Sequence, residues 1–135
     1  MNSFLYHIQL NIDFQNVDFY KNLMEFMGWK IIFETDEVVG YKSETNGDLW
    51  FVKSDKNEFT DYDARGFNHI SLRVSNMSDV DEIKDYLEKN NVEMLFDTPK
   101  HRPEFTVSEN ETYYQIMFES PDKILFEVVY IGNKS

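Results

Sequence analysis

The sequence predicts an α+β fold of two tandem βαβββ modules, forming a cupped mixed and antiparallel sheet around a central cavity. Three internal matches predict it. His7-Ile8-Gln9-Leu10-Asn11-Ile12 reappears as His69-Ile70-Ser71-Leu72-Arg73-Val74, and Val17-Asp18-x-x-Lys21-x-x-x-Glu25 as Val80-Asp81-x-x-Lys84-x-x-x-Glu88. Phe33-Glu34 answers to Phe96-Asp97. The offset is 62 residues for the first match (69 − 7) and 63 for the second (80 − 17), so the 135-residue chain reads as a duplication with a period near half its length. The whole chain, 1–135, is expected to be one domain, with module one at 4–53, a linker at 54–66 and module two at 67–131.

In module one, residues 4–12 alternate. Phe4, Tyr6, Ile8, Leu10 and Ile12 share one face, and Leu5, His7, Gln9 and Asn11 share the other, as a half-buried strand requires. Residues 17–27 place Phe19, Tyr20, Leu23, Met24, Phe26 and Met27 at helical spacing. Asn16 is placed to cap the start of this helix, and Gly28 to close its end in a left-handed conformation. Strands are expected at 29–34, 38–42 and 48–53, the last two joined by the turn-rich Ser43-Glu44-Thr45-Asn46-Gly47.

Module two repeats the pattern. A strand is expected at 67–74, then a helix opened by a box of Ser78 and Asp81 that buries Val80, Ile83 and Leu87. Asn91 takes the place of Gly28, because asparagine tolerates a positive φ best among residues with a side chain. Strands follow at 92–96, 113–118 and 124–130, with Ser120-Pro121-Asp122-Lys123 as a turn. Residues 97–112, polar and holding Pro99 and Pro103, read as one long binding loop.

Composition narrows the function. With 25 acidic against 13 basic residues the formal charge is −12, a poor match for the phosphate backbone of nucleic acid or for an anionic membrane. At 41% hydrophobic and 16% aromatic, the chain is too apolar for disorder. No apolar run is long enough to span a bilayer, and the N-terminus lacks the basic start and cleavage site of a signal peptide, which predicts a cytoplasmic protein. There is no cysteine, so any metal must be held by histidine and carboxylate. A small-molecule ligand is the expected partner.

The repeat also nominates a site. His7 and His69 occupy equivalent points on equivalent strands, each on the face opposite the apolar one. Glu127 lies mid-strand between Leu125 and Val129, where a carboxylate is costly to bury without partners. Read singly, each is more often an ordinary hydrogen-bonded residue. Together, two imidazoles and a carboxylate would form a set that leaves open positions on Fe, Mn, Zn or Ni for a substrate chelating through two oxygens. Gln9, Ser71 and Arg73 share the faces of the two imidazoles. With Trp50, Tyr113, Tyr114 and His101 they are the candidate pocket residues. A general base is sought among His101, Glu111, Tyr113 and Tyr114. The alternative is a metal-free acidic protein whose Trp50 and tyrosines stack on a flat or cationic ligand.

Several motifs carry a resemblance. Paired βαβββ modules each opened by His-Ile-x-Leu, Phe19-Tyr20 leading to Gly28, and the closing Phe-Glu-Ser-Pro-Asp-Lys-Ile-Leu-Phe-Glu-Val-Val at 118–129 are similar to the vicinal oxygen chelate superfamily. That group includes glyoxalase I, extradiol dioxygenases, fosfomycin-resistance transferases and bleomycin-binding proteins. The resemblance implies metal ligands at His7, His69 and Glu127, with Glu127 also the catalytic carboxylate, and a homodimer. Trp50 stands where glyoxalase I has a fourth ligand, and Met117 and Lys123 replace a tyrosine and a glycine of the extradiol pattern.

Overall fold

The computed structural model describes residues 1–45 and 47–134; Asn46, within the expected turn at 43–47, and Ser135 lie outside the described residues. Two compact units divide the chain, Met1–Phe59 and Thr60–Ser135. Both are built on the same βαβββ plan.

The first unit contains β1 (His7–Ile12), α1 (Val17–Phe26), β2 (Lys30–Glu34), β3 (Val38–Lys42) and β4 (Asp48–Lys53). Its sheet runs β1-β4-β3-β2, with β1 parallel to β4 and the other pairs antiparallel. A single 3-10 turn, Phe14–Asn16, precedes α1. Asp13 caps this turn by accepting from Gln15 N at 3.0 Å, so the capping carboxylate lies three residues before the Asn16 expected to cap α1. Asn16 makes no side-chain cap. The helix lays Tyr20, Leu23 and Met24 on the sheet, where Tyr20 meets Phe51 with ring centres 4.6 Å apart. Leu10, Ile12, Val39, Tyr41 and Leu49 complete that core. β1 begins at His7 rather than at Phe4: its ladder partner β4 starts at Asp48, whose N–H reaches back only as far as the Tyr6 carbonyl. Phe4, Leu5 and Tyr6 are therefore exposed.

The second unit contains β5 (His69–Val74), α2 (Met77–Lys89), β6 (Lys100–His101), β7 (Glu111–Glu119) and β8 (Leu125–Asn133). The order β5-β8-β7-β6, with β5 parallel to β8, repeats the first sheet strand for strand. Val80, Ile83 and Leu87 are buried as expected. The capping box is not Ser78 and Asp81 but Asn76 and Asp79, two residues earlier, with Asp79 Oδ2 accepting from Asn76 N at 3.1 Å.

Both helices end in the same way. Trp29 N donates to Met24 O at 2.9 Å around Gly28 (φ 84°), and Val92 N donates to Leu87 O at 3.0 Å around Asn91 (φ 63°). This is the Schellman arrangement. It confirms the equivalence of Gly28 and Asn91.

The expected strand at 92–96 does not form. Phe96 and Asp97 take positive φ (55° and 61°), which breaks an extended run, and only Leu95 N reaches β7, at Met117 O. Its place in the sheet is taken by the two-residue β6, inside the segment expected to be loop. That segment also holds a 3-10 turn, Pro103–Phe105. β7 and β8 are longer than expected, nine residues each, because their ladder continues from Glu119 paired with Leu125 out to Glu111 paired with Asn133.

Candidate functional site

β8 is an inner strand, hydrogen-bonded to β5 on one side and β7 on the other, and this position buries Glu127 to 2% exposure. Cross-strand pairing sets its neighbours. Glu127 pairs with Ser71 on β5 and Met117 on β7, and side chains paired across a sheet share a face. That face is the one turned away from α2. Its polar residues close on the carboxylate: Ser71 Oγ donates to Oε1 at 2.5 Å, the Tyr113 hydroxyl donates to both oxygens at 2.9 Å, and the Gln115 amide donates to Oε2. A carboxylate offers about four lone-pair directions; three donors address them, the single Tyr113 hydrogen being shared between the two oxygens. Among the described residues no Lys or Arg pairs with Glu127; the nearest cationic candidate is His69, with Nε2 at 4.0 Å from Oε1.

Two residues outside the sheet face support this cluster. Arg102, which follows β6 and bonds through its N–H to the Tyr113 carbonyl, donates from Nε to Gln115 Oε1 at 2.9 Å, so the Gln115 amide nitrogen is left facing Glu127. Phe105 lies edge-on to Tyr113 with centres 5.2 Å apart, and the Arg102 guanidinium sits 5.9 Å from the Phe105 ring centre. Burial raises the Tyr113 hydroxyl to a pKa of about 12, reinforced by the Glu127 carboxylate it donates to and opposed by Arg102. Tyr113 therefore stays protonated as a donor at neutral pH.

The expected pocket residues divide by strand parity. Ser71 and Tyr113 join Glu127. Arg73 shares their face but is turned to the Ile131 carbonyl, which it reaches at 2.8 Å. Tyr114, one residue beyond Tyr113, is on the helix side, where its hydroxyl donates to Asp81 Oδ1 at 2.6 Å and burial raises its pKa to about 12. His101 pairs with Tyr114 and lies tilted against its ring with centres 4.5 Å apart, with Nδ1 bonded to Thr112 Oγ1. Tyr114 and His101 are thus not beside the carboxylate as expected: alternation along β7 and β6 carries them to the opposite face. Glu111 stands at the far end of β7 from Glu127. Gln115 and Arg102 were not foreseen, although Gln115 sits two residues from Tyr113 and so on its face.

In the first unit, His7, Gln9 and Trp50 share the face away from α1, with Gln9 paired to Trp50 and donating to Asn11 Oδ1 at 3.0 Å. Trp50 lies against Gly40, where an added Cβ would come within 2.7 Å of the indole, and 5.7 Å from the Phe33 ring. Among the described residues, no three His, Asp or Glu side chains gather closely enough to hold a metal ion. His69 and Glu127 do supply two donors suited to a divalent cation, an imidazole nitrogen and a carboxylate oxygen.

Two βαβββ units of matching strand order, with a polar cluster around a buried carboxylate on the helix-free face of the second, define a tandem-module α+β protein. The chain belongs to the Glyoxalase/Bleomycin resistance protein/Dioxygenase superfamily, whose profile matches residues 12–128. No curated protein matches its sequence. Among solved structures, a candidate glyoxalase from Bacillus halodurans aligns with a TM-score of 0.75 at 21% identity, over 93% of this chain and 94% of the other. Lactoylglutathione lyase from Agrobacterium tumefaciens gives 0.66 at 17% over 96% and 95%. The fosfomycin resistance protein FosX from Listeria monocytogenes gives 0.65 at 21% over 99% and 97%. At these identities the likeness establishes the fold. No helix among the described residues is long and apolar enough to cross a membrane.

Proposed function

We propose that the chain is a divalent-metal-dependent enzyme of the glyoxalase and dioxygenase kind, acting in the cytoplasm as a homodimer on a small substrate that binds through two neighbouring oxygens. His69 and Glu127 would be two ligands, and the recurrence of the His-Ile-x-Leu motif offers His7 as the third; Fe, Mn, Zn and Ni are all compatible with such a donor set. One observation carries this reading: His69 Nε2 faces Glu127 Oε1 at 4.0 Å, a little wider than the roughly 3.0–3.4 Å between neighbouring ligands about 2.1 Å from an octahedral or tetrahedral cation, so a small side-chain movement would bring both onto one ion. Supporting it, His69 Nδ1 is engaged by Asn68 Oδ1 at 2.8 Å, which leaves Nε2 for a ligand.

A bound cation would supply Lewis-acid polarisation of the substrate's oxygens. The chain's own residues do the rest. Glu127 and His69 bind. The Ser71 and Tyr113 hydroxyls, whose single hydrogens go to Oε1, could accept from a substrate group beside it, or donate to a substrate oxygen by turning away from the carboxylate. Gln115, held by Arg102, keeps Oε2 in place.

A second reading is favoured by the fact that three neutral side chains already satisfy Glu127. It is a metal-free binding protein, in which Trp50 and Phe33 stack on a flat cationic molecule drawn by the −12 charge. Metal analysis of protein purified without chelators separates the two. The enzyme reading expects near-stoichiometric divalent metal, lost in the His7→Ala/His69→Ala double variant. Metal-free protein that binds cationic aromatics, and does so weakly after Trp50→Ala, overturns it.

A further inference from the structure

The residues leading into β5 form a strap whose hydrogen bonds end on His69. Asp61 turns it, accepting from Asp63 N at 2.9 Å through its side chain and from Ala64 N at 3.1 Å through its carbonyl. Tyr62 anchors it, with its hydroxyl donating to Glu119 Oε1 on β7 at 2.7 Å. The Tyr62 carbonyl accepts from Asn68 Nδ2 at 2.7 Å, and Asn68 Oδ1 lies 2.8 Å from His69 Nδ1.

These contacts fix a proton. An amide reversed at Asn68 would set its oxygen against the Tyr62 carbonyl oxygen, two acceptors at hydrogen-bond distance, so the nitrogen must face Tyr62 and the oxygen must face His69. An oxygen accepts only, and so His69 Nδ1 must carry the hydrogen. In the neutral imidazole, Nε2 is then a bare lone pair facing the Glu127 carboxylate. The first unit has no such device: the residue before His7 is the exposed Tyr6, and among the described residues the His7 ring makes a ring contact with it at 5.1 Å and no hydrogen bond.

We propose that Asn68 is the positioning residue of this site: held by Tyr62, it sets His69 in the Nδ1–H form so that Nε2 is offered to a cation rather than donated to Glu127. The geometry is independent of the metal-binding reading, but its purpose rests on that reading. Ligand histidines depend on such partners for both ring orientation and basicity.

The test uses the full chain, stripped with chelator and observed by 15N NMR of its three imidazoles, each assigned by single His→Gln substitution. The wild type is expected to show His69 as Nδ1–H. Asn68→Ala should move it to Nε2–H, now able to donate to Glu127, while Asn68→Asp, which keeps the acceptor, should retain Nδ1–H. Calorimetric titration with Mn(II) should then show Asn68→Ala binding about 10–100-fold more weakly than wild type, with Asn68→Asp largely restored. His69 found as Nε2–H in the wild type, or unchanged in Asn68→Ala, overturns the proposal. Wild-type protein that takes up no Mn(II) defeats the metal reading instead, and the NMR result still decides the role of Asn68.

Discussion

Trp50 holds in the first module the register position that Glu127 holds in the second. Trp50 pairs with Gln9, two residues after His7, and Glu127 pairs with Ser71, two residues after His69, both in parallel ladders. One duplicated position has therefore become an indole in one copy and a buried carboxylate in the other. The hydrogen bonds to Glu127 among the described residues come from Ser71, Tyr113 and Gln115 of module two.

The indole has its own structural dependence. Gly40 pairs with Trp50, and a methyl group at Gly40 would meet three ring atoms at 2.7–2.9 Å. Gly40→Ala is expected to lower stability by about 1–3 kcal/mol through overpacking. Adding Trp50→Ala should remove most of that loss, so the double variant will be more stable than the sum of its singles predicts. Denaturant midpoints of the four proteins measure the coupling; strict additivity would contradict the contact.

Tyr113→Phe removes the hydroxyl that reaches both Glu127 oxygens while keeping the ring against Phe105. The buried carboxylate is then under-satisfied, a loss of about 1–3 kcal/mol. Tyr130→Phe, whose hydroxyl bonds an exposed backbone carbonyl, serves as the control and should cost less. Equal losses in the two variants would mean that Glu127 does not depend on Tyr113.

Alkaline pH should destabilise the fold. Tyr62, Tyr113 and Tyr114 are each raised from 10.0 to about 12, Tyr62 chiefly by its hydrogen bond to Glu119 and the other two chiefly by burial. Between these values the unfolded chain has released protons that the folded chain retains. Their contribution is thus complete below pH 10 and is lost as the pH rises to 12. Unfolding titrations from pH 9 upward should show the decline beginning at about pH 10, and a triple Tyr→Phe variant should make it shallower, with Tyr41 and Tyr86, both also raised by burial, supplying the remainder.

Gly28→Ala isolates a backbone effect. An added Cβ finds nothing within 4 Å, yet φ is 84°, so the expected loss of about 1–2 kcal/mol is conformational. Gly28→Asn, which copies the second module's solution at Asn91, should cost less. Thermal unfolding of both variants checks the order; Asn as costly as Ala would overturn it.

Much of this was legible along the chain. The βαβββ repeat, both helices, the matched caps at Gly28 and Asn91, and strands β3 and β4 follow from side-chain period and from residues whose φ preferences act locally. Equivalence also survives an insertion: the offset is 62 at His7 and His69 (69 − 7) but 77 at Trp50 and Glu127 (127 − 50), because module two carries extra residues before β7. The expected strand at 92–96 failed where two consecutive positive φ values broke a run that composition alone favoured.

Histidine and glutamate could be nominated from sequence because their chemistry and their recurrence are written there. Which neighbours reach Glu127 was decided by the register among β5, β8 and β7, strands brought together from positions as much as 56 residues apart. Tyr113 and Tyr114 are adjacent, yet one donates to the carboxylate and the other to Asp81 on the helix side. A pleated strand turns successive side chains to opposite faces, and only pairing between distant strands settles which face is which.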